Sequence, residues 1–216
     1  MKGGLIIFSL YVLALFVNVE SAALSTSDRE KAIEDIIVKS FGDPYNFGSF
    51  DAAPGNGVLK VHQNITSMIV HGLSKARRIV HADLAAGTIS MTYEADQLSV
   101  NVNYDIDGSW HLMKIWGKGT GVVVMNDVRT KVEAKIELVN DKIKINDMKI
   151  SYEVSGGSFD LDSLFGETGD MKIFTPIFLK AVNLYNKYVF PDILPPYIPL
   201  AEAGLTKVWS LILANA

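Results

Sequence analysis

A row of acidic and amide residues invites a chemical reading first. In NVNYDIDGSW, Asn103, Asp105, Asp107 and Gly108 fall where an EF-hand loop sets its first ligands and its turning glycine. Counted from Asn103, the position that needs a bidentate acid holds Lys114, whose ammonium would repel the ion. The flanks alternate apolar and polar with period two, whereas the motif requires a helix on each side. The stretch therefore reads as a β-hairpin with Asp107-Gly108 as its turn, not as a metal site.

GKGTG, residues 117–121, has the look of a phosphate-binding glycine loop. A dinucleotide fingerprint would need another glycine at Val122, and Val122, Val123 and Val124 continue as strand, so no helix N-terminus faces a phosphate. The glycines read instead as a bend or bulge in a sheet. His62, His71, His81 and His111 stand isolated, none paired with another at metal-ligand spacing. The chain has no cysteine, and no serine sits in a G-x-S-x-G elbow. These observations point away from an enzyme, a metal and a cofactor. Lys75, Arg77 and Arg78 form a tight basic group, which reads as a solvated turn ahead of a contact for a carboxylate or lipid headgroup.

The remaining candidates are apolar. Trp110, Trp116, Phe174, Phe178 and Tyr185 are either core residues or the wall of a cavity for a greasy ligand. A formal net charge of -4 and the lack of a basic tail leave little attraction for nucleic acid or an anionic membrane. Lys2, the apolar run Leu5–Val17 and the small residues Ser21, Ala22 and Ala23 read as a secretory signal peptide over residues 1–23, too short to span a membrane. Residues 24–216 then form one exported domain, held together without disulfides, with no membrane-integral segment in the mature chain. Asn64-Ile65-Thr66 is an N-glycosylation sequon.

The elements that must position these residues follow from periodicity. Ser27 and Glu30 read as a capping box opening a short helix through Ile33, Ile36, Ile37 and Phe41. Residues 44–57 are rich in Gly, Pro, Asn and Asp and read as a loop. Between Val58 and Val154 the period is two: Ile89–Tyr93, Leu98–Ile106 and Val132–Leu138 each alternate, with turns at Gly87-Thr88, Asp107-Gly108 and Asn140-Asp141. Ile143 and Ile145 are apolar at odd positions, Met148, Ile150, Tyr152 and Val154 at even ones. That slip demands a β-bulge near Asn146-Asp147 and a curved sheet. Phe174, Phe178, Ala181, Tyr185 and Tyr188 then recur at helical spacing, with Ile177, Leu184 and Val189 beside them, so the helix is apolar over most of its circumference and reads as enclosed by the sheet. Prolines from Pro191 to Pro199 break it before a last amphipathic helix through Leu205, Val208, Trp209 and Ile212.

This order resembles the insect hemolymph juvenile hormone-binding and takeout-like family, with mite group 7 allergens as the nearest branch. Three stretches carry the likeness: VHGLSKARRIV (residues 70–80), YDIDGSWHLMKIWGKGTGVVVMNDV (residues 104–128) and FDLDSLFGETGD (residues 159–170). The resemblance implies an α+β tubular lipid-binding fold, with a highly curved antiparallel sheet wrapped around a long C-terminal apolar helix and a hydrophobic ligand held between them. Two functions remain open at this point. One is a secreted, non-catalytic binder or carrier of a lipid, fatty acid or terpenoid such as juvenile hormone in an apolar tunnel. The other is a structural or immune-recognition protein that meets microbial lipid or a protein partner with its outer face, its interior filled.

Overall fold

The computed structural model describes residues 25–40, 42–53, 55, 58–140, 142–166 and 173–213. The signal peptide expected over residues 1–23, and Phe41, lie outside these. Among the described residues the first element is α1 (Thr26–Lys39), followed by seven strands: β1 (Tyr45–Ala52), β2 (Leu59–His71), β3 (Arg77–Asp83), β4 (Thr88–Trp110), β5 (Met113–Val139), β6 (Lys142–Glu153) and β7 (Gly156–Leu161). After them come α2 (Phe174–Leu184), α3 (Asn186–Ile193), a 3-10 turn at Pro195–Tyr197 and α4 (Ile198–Ile212).

Every strand pair is antiparallel. The frame is a hairpin of two very long strands, β4 of 23 residues and β5 of 27. Their first and second halves carry different neighbours: β3 and β6 flank one end, while β2 (with β1 beyond it) and β7 flank the other. The runs Ile89–Tyr93 and Leu98–Ile106 are thus one strand. Its inward parity passes from odd at Ala95 to even at Leu98, and β5 changes parity at the same place, between Val128 and Met125. Pairing holds across this point, from Ala95↔Val128 to Gln97↔Asn126, with Asp127 at φ 48°. Because both strands slip together the apolar side stays continuous, and Tyr93, Ala95, Leu98 and Val128 share one buried cluster at the junction. The bulge expected near Asn146-Asp147 is present: Lys135 pairs with Asp147 and Ile136 with Ile145, leaving Asn146 as the extra residue.

Several turns differ from the sequence reading. Asp107-Gly108 is not a turn. Both residues lie inside β4, opposite Trp116 and Ile115, and the chain reverses at His111-Leu112 between the paired Trp110 and Met113. Gly108 is required for a different reason: a Cβ there would collide with the β2 backbone at Lys60 and Val61. Residues 44–57 are not all loop, since β1 pairs with β2 there despite its irregular register around Gly48. The helix cap also moves: Ser25, not Ser27, accepts from the Asp28 amide at 3.2 Å.

Glu30, freed from a capping role, does something the local pattern does not suggest. Its Oε1 accepts from the Leu84 amide at 2.9 Å, and Glu34 Oε1 accepts from the Ala82 amide at 3.1 Å. An edge strand presents unpaired N–H groups, and α1 covers those of β3 with carboxylates. The device recurs: Glu202 of α4 accepts from the Ile150 amide of β6 at 3.0 Å. On β7, Asn183 both accepts from the Phe159 amide at 2.7 Å and donates to the Phe159 carbonyl at 2.9 Å. Each of these helices is fixed to a sheet edge by polar side chains while its apolar face buries against the sheet. At one end Ile33, Ile37, Trp209 and Leu213 of the two terminal helices pack fully buried on Ile89, Val132 and Ala134. At the other, Leu179, Val182, Val189 and Phe190 pack on Val61, Ile115 and Phe159.

The C-terminal helix is divided. Tyr185 leaves helical geometry at φ −108°, ψ 19°, separating α2 from α3, and Pro191 sits inside α3 instead of ending it. Arg78 is not a solvated turn residue either: it donates to the Val38 carbonyl at 2.6 Å and the Leu73 carbonyl at 2.7 Å, tying the end of α1 to the turn after β2.

Candidate functional site

The apolar end of the sheet gathers aromatic rings contributed by four separate segments. Trp110 from the end of β4 meets Phe178 of α2 at a centroid distance of 6.0 Å and 81°. Phe178 meets Phe165, in the turn after β7, at 5.2 Å and 87°. Phe165 in turn meets Trp116 of β5 at 5.5 Å and 80°. Each pair is edge-to-face, the geometry that sets a ring's positive edge against its neighbour's negative face. The row is positioned by β5. Gly117, Gly119 and Gly121 let the backbone from Asp160 to Leu164 run hard against that strand, where any Cβ would collide with it. Pairing with β4 runs unbroken through GKGTG, so its glycines make no bulge. They admit the segment that delivers Phe165.

Beside this row lies a cleft of about 620 Å3, bordered by Ile106, Trp116 and Gly166 and rimmed by Asp105, Asp107, Lys114 and Lys118. That volume suits a small-molecule ligand. The cleft opens to solvent and is not an enclosed tunnel. Its charged rim pairs loosely, Lys114 with Asp107 at 3.7 Å and Lys118 with Asp105 at 3.8 Å, both exposed. Such pairs contribute little to stability and remain free to turn toward a ligand. A smaller cleft of about 250 Å3 lies further along the same strands, between Asn101, Thr120 and Asp162.

Polar groups also reach the apolar layer. Gln63, 5% exposed, points inward from β2 in line with Leu59, Val61 and Ile65, and accepts a hydrogen bond from Tyr197. Burial pushes the Tyr197 hydroxyl up to about 12, with the Gln63 bond opposing. Tyr104 donates to the Asp162 carbonyl, and burial, with the Asp162 charge adding to it, pushes that hydroxyl up to about 12 as well.

Of the residues expected to line a ligand wall, Trp110, Trp116 and Phe178 come together here, linked through Phe165. Phe174 and Tyr185 do not join them. They are exposed, Phe174 one turn before Phe178 and Tyr185 at the end of α2, while α2 buries Thr175, Leu179 and Val182. The helix is therefore covered on one side and bare on the other. Phe165, Gln63 and Tyr197 were not expected. Gln63 had a legible signal, a polar residue at an inward position of an alternating strand, whereas Phe165 stands alone in a turn with no periodicity to mark it. Asn64 is exposed at mid-strand, with its backbone between Asp51 of β1 and Asp105 of β4. The histidines are dispersed on separate partners, His111 on Asp192 at 3.1 Å, His81 near Glu34 at 3.6 Å and His62 near Asp51 at 3.7 Å. Among the described residues no helix is long and apolar enough to cross a membrane.

Comparison with known proteins agrees with this architecture. The chain is 29% identical over 161 residues to the circadian clock-controlled protein daywake of Drosophila melanogaster, covering 72% of this chain and 60% of that protein. To daywake of Drosophila yakuba it is 30% identical over 132 residues, covering 59% of this chain and 50% of that one. The chain therefore spans little more than half the length of these relatives. The crystal structure of Takeout 1 from Epiphyas postvittana superposes with a TM-score of 0.66 at 17% identity, covering 88% of this chain and 91% of that one, and shows the same fold. The model of the haemolymph juvenile hormone binding protein family matches residues 29–216, and the chain belongs to that family.

Proposed function

We propose that the protein is a secreted, non-catalytic binder or carrier of a hydrophobic small molecule: a lipid, a fatty acid or a terpenoid such as juvenile hormone. The observation that carries this reading is the edge-to-face row Trp110–Phe178–Phe165–Trp116, whose last ring, Trp116, lines a cleft of ligand size. Burial of an apolar ligand against these rings releases about 25 cal/mol per Å2. Lys114 and Lys118 at the rim suit a carboxylate or ester oxygen at the ligand's polar end. The family supports a binding role, and residues 1–23 support export, with a glycan on exposed Asn64. Delipidated protein titrated with a fluorescent fatty acid is expected to show saturable binding that unlabelled fatty acid or terpenoid ester displaces. Absence of saturable binding at micromolar probe would overturn the reading.

A second reading has an observation of its own. Side chains pack between sheet and helices, as where Phe159 stacks on Phe190 at 5.0 Å, and the two clefts described above open outward. A filled interior suits a recognition protein that meets microbial lipid or a protein partner with its outer face. Such a protein would leave the fatty-acid probe unbound.

A further inference from the structure

The C-terminal helix carries two apolar faces, and the sheet uses one. On the other, Phe174, Ile177 and Leu184 follow one another at helical spacing and remain 53%, 61% and 75% exposed, and Tyr185 and Tyr188 continue the stripe at 58% and 63%. Side chains of this size left in water together mark a contact surface. Its composition specifies what it meets. Lys180 and Lys187 border the stripe, and the Lys187 ammonium lies 4.9 Å over the Tyr188 ring. No acidic residue occurs in α2, and Asp192 of α3 is engaged by His111 at 3.1 Å. Aliphatic side chains at the centre, tyrosines whose rings are apolar and whose hydroxyls are polar, and lysines able to extend their ammonium groups outward form the pattern of a helix lying in the plane of a lipid surface.

We propose that the exposed face of α2 and α3 docks the protein onto an anionic phospholipid surface, with Ile177 and Leu184 entering the acyl region and Lys180 and Lys187 meeting the headgroups. Charge complementarity selects lipid over a second copy of the chain. An isologous interface sets the same patch against itself, and its lysines would then face only apolar and basic neighbours. The net charge of -4 belongs to the whole molecule and is screened within about 8–10 Å in physiological salt, so the local lysines govern what this face meets. Phe178 follows Phe174 by one turn, at the border between the stripe and the buried face, so docking brings the aromatic row close to the lipid that would supply a ligand.

The docking claim is separable from the binding reading above, because the residues substituted to test it, Lys180, Leu184 and Lys187, belong neither to the aromatic row nor to the lining of the cleft. Flotation with phosphatidylcholine vesicles, with and without phosphatidylglycerol, tests it. The protein is expected to float with both and more strongly with phosphatidylglycerol. Leu184→Asp should weaken flotation about tenfold or more, since an apolar side chain leaves the acyl region and a charge takes its place. Lys180→Glu with Lys187→Glu should remove the phosphatidylglycerol preference alone. All these positions are exposed, so the variants keep the wild-type circular dichroism and their affinity for a soluble fatty-acid probe. Failure of the wild type to float with either vesicle, or flotation indifferent to Leu184→Asp, overturns the proposal, as does a wild-type dimer that Leu184→Asp converts to monomer. Loss of fatty-acid binding with flotation intact would instead overturn the carrier reading and leave docking standing.

Discussion

The Tyr197 hydroxyl donates to the Gln63 amide oxygen at 3.0 Å across 134 residues of chain, inside an otherwise apolar layer. The second polar atom of the amide, Nε2, is buried without a protein partner. A buried polar pair costs most when half of it is removed. Tyr197→Phe and Gln63→Leu should each lower unfolding stability by roughly 1–3 kcal/mol, while the double substitution costs less than either. Urea midpoints of the set would measure the coupling, and additive losses would show that the bond does not link the two residues.

Phe174 and Phe178 are one helical turn apart, but Phe178 is half-buried in the aromatic row and Phe174 is exposed, so the two should behave differently. Phe178→Ala is expected to weaken binding of a fluorescent fatty acid about tenfold or more, because the ring that joins Trp110 to Phe165, and through it to Trp116 at the cleft, is gone. Phe174→Ala should leave that affinity unchanged, because Phe174 faces solvent. Equal losses in the same titration would contradict the placement of the site.

Asn183 joins α2 to β7 through both backbone groups of Phe159. Replacing it with leucine strands a part-buried donor and acceptor and should cost roughly 2–3 kcal/mol. The Phe159 amide should also exchange with deuterium sooner than its neighbours in β5. Unchanged exchange would mean that the sheet edge is protected by other means.

Trp209 is fully buried between α1, α4 and the sheet. Trp209→Ala should cost about 3–5 kcal/mol, a large fraction of the stability of a domain this size, and calorimetry reads the loss directly.

Burial pushes Tyr93, Tyr104, Tyr152 and Tyr197 up to about 12. A phenol whose folded pKa lies above its unfolded value near 10 binds more protons folded than unfolded across the interval between them. Its contribution is complete below about pH 10 and lost as pH rises toward about 12. Denaturant midpoints should therefore decline over that interval, and Tyr197→Phe should flatten part of the decline. A flat profile would show that these hydroxyls ionise freely in the folded state.

How much was legible in the residues differs by element. Strand parity marked the inward side of β4, β5 and β6, and the odd-to-even change at Asn146 announced its bulge, because a side-chain period of two leaves a one-residue insertion nowhere to hide. The same periodicity showed Ile89–Tyr93 and Leu98–Ile106 as two strands. Only the matched slip in β5 reveals them as one, since parity within one strand cannot distinguish an insertion from an ending. Asp107-Gly108 had turn chemistry but no turn, because Gly108 answers the approach of β2, a meeting of distant parts of the chain.

Period and turn chemistry are local, and they were enough to establish an α+β protein with an antiparallel sheet and an apolar C-terminal helix. They could not say which side of that helix would be buried. Phe174, Ile177 and Leu184 are as apolar as Leu179, Val182 and Val189, so hydrophobicity supplies no preference between the two faces. Hydrogen bonds between distant segments make the choice in the folded molecule. Asn183 and Asn186 meet the Phe159 and Gly157 backbone on the edge of β7, and that docking turns one apolar face to the sheet and leaves the other in water.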